Sequence, residues 1–121
     1  MFIETNANPY NVNIDDCIIR AITLATGKQY FDVFDDMIKI ADDKDWEIDE
    51  IRTANEYLKG LGWQMYDVLG KAPTVKQYSK MYSDPEIVVV NGHATFTKDG
   101  NIYDTWNCSR YHVKYVFRKC E

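Results

Sequence analysis

The chain has 121 residues, 45% of them hydrophobic, with three Trp, nine Tyr and five Phe and a formal net charge of −5. That length suits one core and no more, so residues 1–121 are expected to form a single domain with a single site. The acidic balance without a dense Lys/Arg cluster argues against a nucleic-acid partner, and no apolar run nears the ~20 residues that cross a bilayer.

The N-terminus also lacks the basic and apolar regions of a signal peptide, so no membrane partner and a cytoplasmic location are expected. Three cysteines, Cys17, Cys108 and Cys120, are too few and too unevenly spaced for a disulfide framework. Free thiols in a reducing compartment are expected instead.

In chain order, the Asn-rich stretch up to Asn13, with Pro9 inside it, reads as an extended arm or loop. Asp15 or Asp16 can then cap a helix whose buried face is Ile18, Ala21, Ile22 and Ala25, and Gly27 is placed to end it in the left-handed conformation. A second helix is expected over Tyr30 to Ala41, burying Phe31, Phe34, Ile38 and Ala41, and a third over Ile48 to Leu58.

The acids between them, Asp42, Asp43, Asp45, Glu47, Asp49 and Glu50, lack the central Gly and the carboxylate register of a calcium loop. They read as a solvated loop and a helix N-terminus, where acids suit the dipole.

Trp63 to Val68 suits a short strand and Thr74 to Met81 a short helix after Pro73. The IVVV run within Glu86 to Asn91 suits a buried strand. Two alternating segments then flank Asp99-Gly100, the strongest hairpin signal in the chain, and Tyr111 to Phe117 alternates again as a last strand. Helices first and a small antiparallel sheet after them make an α+β domain.

Cys17 falls at the start of the first helix, where unpaired N–H groups and the positive dipole end favour a thiolate. A two-residue turn at Asp99-Gly100 pairs Lys98 with Asn101 and sets His93 opposite Trp106 and Thr95 opposite Asp104. His93 and Asp104 then lie diagonally on one face, ~7–8 Å apart at the backbone, within reach of a hydrogen bond between their side chains. Trp106 is placed to shield that bond from water.

Taken singly, these residues have ordinary readings: a small buried thiol, a polar strand end, an edge acid. Together they make the nucleophile, base and orienting acid of acyl-transfer chemistry. The Cys17 N–H and the Asn11 side chain, six residues upstream, are candidates for an oxyanion hole. His112, among Arg110, Tyr111 and Lys114, reads as a partly exposed strand residue outside the chemistry.

The order Cys at a helix start, then His, then Asp, with Asp104-Thr105-Trp106 on the later strands, resembles the papain-like cysteine peptidases. In that family an amide-bearing Gln commonly lies six residues before the nucleophile, the offset held here by Asn11. More closely, DDCIIRAITLATGKQY and NGHATFTKDGNIYDTWNCS are similar to small proteins of bacteriophages and their hosts thought to have a minimal papain-like fold. The likeness spans about Asn11 to Ser109.

The resemblance implies that Cys17 attacks an acyl carbon, His93 protonates the leaving group and Asp104 orients His93. It implies a thiol hydrolase or acyltransferase acting on a peptide, isopeptide or amide bond, with a peptide or protein as substrate and no cofactor or metal. At this length a short or specialised substrate is expected. A phage origin would put the protein in the host cytoplasm.

Two alternatives stand beside this reading. One is a non-catalytic phage or bacterial module that occupies a host protein through exposed aromatics such as Tyr78, Tyr82 and Tyr111. The other is a metal held by Cys17, His93 and Cys108 or Asp104, which lack the close CxxC or HxxxH pairing of preformed sites. Cys108 follows Asp104 closely enough to line the site.

Overall fold

The computed structural model describes residues 1–10, 15–68 and 70–120. Its elements run β1 (Phe2–Glu4), α1 (Cys17–Thr26), α2 (Tyr30–Lys44), α3 (Ile51–Gly60), β2 (Trp63–Asp67), α4 (Val75–Met81), β3 (Glu86–Val90), β4 (His93–Lys98), β5 (Asn101–Asp104) and β6 (Tyr115–Lys119). The strands form one sheet in the order β1-β5-β4-β3-β6-β2, antiparallel throughout except for the parallel β1–β5 pair.

The architecture is α+β, but the expectation of helices followed by a small sheet needs correction. β1 precedes the helices, α4 separates β2 from β3, and the sheet has six strands. The three residues of β1 are too few to show a period, and their pairing is set at a distance. Ile102 N–H donates to the Met1 carbonyl at 2.8 Å and Thr5 N–H to the Asp104 carbonyl at 2.7 Å.

β3 organises both faces of the sheet, because all five of its residues are buried. Ile87 and Val89 join the larger core with α1, α2 and α3, whereas Val88 and Val90 join a second core with Val75 and Tyr78 of α4. Glu86 is also buried, neutralised by Arg118, whose Nε lies 3.0 Å away, and bonded by the Tyr78 hydroxyl.

α1 ends as expected, with Gly27 at φ 73 and its N–H on the Thr23 carbonyl at 3.1 Å. α2 is longer than expected and rolled by about one residue. It buries Tyr30, Val33, Met37 and Ala41, while Phe31 and Ile38 stay exposed. The sequence holds two overlapping apolar stripes here, and the hydrogen bond from the Tyr30 hydroxyl to Asp16, 2.8 Å, accompanies burial of the Tyr30 stripe.

β6 begins at Tyr115 rather than Tyr111. The preceding residues bond instead to the segment before α4: Val113 N–H donates to the Pro73 carbonyl at 2.9 Å, and His112 forms an isolated bridge with Thr74. His112 is therefore outside the last strand, its Nδ1 3.0 Å from the Ala72 carbonyl.

Candidate active site

Cys17 is the first residue of α1 and is partly buried. Asp16, in the capping position, makes no side-chain cap to the helix. It is drawn inward instead, accepting from Asn8 Nδ2 at 3.1 Å and the Tyr30 hydroxyl at 2.8 Å and pairing with Arg20. Asn11 lies outside the described residues.

The β4–β5 hairpin sets the other two groups. Asp99 and Gly100 both have positive φ, 54 and 79, the backbone of a type I′ turn. The ladder pairs Lys98 with Asn101, Thr97 with Ile102 and Phe96 with Tyr103, as the turn predicts. It ends there. His93 opens β4, Asp104 closes β5, and Trp106 has already left the strand, so it is not His93's ladder partner.

The side chains nevertheless converge. His93 Nε2 lies 2.6 Å from Asp104 Oδ2, with both side chains more than nine-tenths buried. The Trp106 ring packs on the His93 ring at 4.6 Å between centroids, 40% exposed, so it covers one face of the imidazole and presents its other surface to solvent. Cys17 and His93 line one cleft, and the Cys108 sulfur lies within 4.8 Å of a His93 ring nitrogen. Nε2 is engaged by Asp104, which leaves Nδ1 as the ring nitrogen not bonded to that carboxylate.

Burial alone lowers the His93 pKa, but the hydrogen bonds to Asp104, Cys108 and Cys17 and the Asp104 charge outweigh it and push it up to about 11. Burial raises that of Asp104, and the His93 partnership, with Thr95 and the Thr105 N–H, outweighs it and holds the carboxyl below its usual range. Both groups are thus charged near neutrality.

The sign of the linkage follows. A raised His93 contributes stability in full below its unfolded value near 6.5 and loses it as pH climbs toward 11. A lowered Asp104 contributes above its unfolded value and loses it as pH falls through the folded one. In a Cys17→Ala background, where that thiol does not titrate, the melting-temperature advantage of His93 over His93→Gln should shrink steadily from pH 6.5 to 10. An advantage constant over that range would contradict the charged pair.

Several residues of the site were not singled out from the sequence. Arg20, one turn along α1 from Cys17, is 7% exposed, pairs with Asp16 and brings Nη2 to 3.9 Å from Asp104 Oδ1. It ties the helix that begins at Cys17 to the strand that ends at Asp104. Its signal was an Arg amid Ile18, Ile19, Ala21 and Ile22, a charge on a buried helical face. Asn8 and Tyr30 gave no such signal.

Cys108 is buried, its Sγ 3.5 Å from Asp104 Oδ2. His93, Asp104 and Cys108 each offer a ligand atom within 4.8 Å of the others, the one such group among the described residues. It differs from the expected metal set, since Cys108 rather than Cys17 completes it. Arg20 already gives Asp104 a cationic neighbour, and His93 would have to give up its proton to ligate, so a metal ion there would compete with both.

Beside Cys17 a cleft of about 250 Å³ opens between the start of α1, the start of α3 and the β3–β4 turn. That is below the roughly 300–1,000 Å³ of sites for drug-sized ligands and suits a single side chain. Of the aromatics expected on a docking surface, Tyr82 and Tyr111 are exposed but Tyr78 is 3% exposed and belongs to the core. No family model, no curated protein and no solved structure matches the chain.

Proposed function

We propose that the protein is a papain-like thiol hydrolase or acyltransferase acting on a peptide, isopeptide or amide bond. The observation that carries this reading is a His93 ring bonded to a buried carboxylate and lining one cleft with a thiol at a helix start.

In this scheme the Cys17 thiolate attacks the acyl carbon and forms the C–S bond. His93 donates its proton to the leaving nitrogen as the C–N bond breaks. Water or a second amine then attacks the thioester, giving its proton to His93 and releasing Cys17. Asp104 keeps the ring oriented and its charge balanced throughout.

Iodoacetamide labelling near neutral pH, read by mapping the modified peptides, tests the scheme. Cys120 is exposed, Cys17 partly buried and Cys108 buried. If access governed, Cys120 would react first. The scheme predicts Cys17 first and Cys108 last, because a neighbouring imidazolium favours the thiolate. Protection of Cys17, or labelling in order of exposure, would contradict it.

A second reading, a module that docks on another protein, draws on the exposed Trp106 and Tyr111 rings, stacked edge-on at 5.3 Å beside the site. It is favoured if a folded Cys17→Ala protein keeps full function.

A further inference from the structure

We infer that the cleft beside Cys17 selects a long aliphatic side chain ending in a cation, such as lysine; this rests on the thiol-transferase reading above. Its walls are Ile18, Ile51, Val89, Val90 and Ala94, and among the described residues the only charged ones lining it besides His93 are Asp15 and Asp49. An apolar wall covers a methylene stem, and carboxylates receive an ammonium group.

Both carboxylates are exposed, and among the described residues neither has a hydrogen-bond or ion-pair partner. Cations nearby in the chain do not meet this need. Arg52, three residues past Asp49, is bound to Glu50 at 3.1 Å and stacked on Trp46 at 4.7 Å. Arg20 is buried against Asp16 and Asp104. Among the described residues the one cation lining the cleft is the His93 imidazolium, at its reactive end.

Charge then sorts substrates along the cleft. An acidic side chain would face two carboxylates, a neutral one would leave them unmatched, and a lysine would bring its ammonium to them while its stem covers the aliphatic wall. The cleft's volume has room for one such side chain and little more.

The test uses peptidyl acyloxymethyl ketones alike but for one side chain, lysine, norleucine or glutamate, placed next to the reactive group or one residue before it. Each rate of Cys17 modification is divided by the iodoacetamide rate of the same protein. At one of the two positions lysine should exceed norleucine by roughly ten-fold, the scale of two exposed ion pairs, with glutamate slowest.

Asp49→Asn should narrow the lysine preference, Asp49→Lys should turn it toward glutamate, and high salt should weaken it. If iodoacetamide and the ketones modify Cys17 but lysine and norleucine react alike at both positions, the specificity inference fails and the thiol reading survives. If no ketone and no iodoacetamide modifies Cys17 ahead of Cys120, the thiol reading itself fails.

Discussion

Replacing Cys17 by Ala is expected to abolish acyl transfer, and His93→Ala to slow it by on the order of 10²–10⁴-fold, the usual range for a positioned acid–base group. Cys17 has no substitute: Cys108 is buried behind Asp104, and Cys120 is far along the chain at the end of β6, bonded weakly to Gln64 at 3.6 Å. His93→Ala removes both the proton donor and the cation beside the thiol.

Asp104→Asn should be milder for the chemical step, since nucleophile and base remain. Its cost shifts to the fold, because His93 and Arg20 lose a buried counter-charge. Trp106→Ala strips the ring packed on His93 and should lower both rate and melting temperature, so each variant needs its melting curve beside its rate. Equal losses for Asp104→Asn and Cys17→Ala, with both folded, would contradict these roles.

Arg20→Ala is expected to carry the largest stability loss, about 3–5 kcal/mol in urea unfolding, because it leaves the buried Asp16 carboxylate without its cation and Asp104 with His93 alone. Asp16 is 2% exposed and Asp104 4%, so water cannot replace the guanidinium. Asn8 and Tyr30 would still bond Asp16, but neither brings charge. The control is Arg52→Ala, whose partner Glu50 is at the surface, and it should leave the unfolding midpoint unchanged. Comparable midpoints for the two variants would show that the Arg20 network does not hold α1 to β5.

The parts of this structure that were legible in the sequence are those written in local signals. Asp99-Gly100 dictated a turn, the turn dictated a register, and the register brought His93 to Asp104. Likewise Gly27 and the Ile18–Ala21–Ile22 stripe placed α1, and with it Cys17 at the helix start.

What escaped was set by partners distant in the chain. β1 exists through backbone bonds to β5 across about 100 residues, and three residues carry no readable period. The α2 face was ambiguous between two stripes. Trp106 meets His93 by packing after the strand has ended, not by the ladder position that continuing the register assigned it. The Asp16–Arg20–Asp104 network joins two charges on one helix with a third on a strand, which no spacing rule anticipates.

The proposed chemistry turns on a covalent bond to one sulfur. The protein is mixed with p-nitrophenyl acetate near neutral pH, quenched in acid within its first turnovers, and mapped by mass spectrometry. The prediction is one acetyl group per chain on Cys17, absent from Cys17→Ala and formed far more slowly in His93→Ala. An acetyl group that appears first on the exposed Cys120, or equally fast on Cys17 with and without His93, would contradict it.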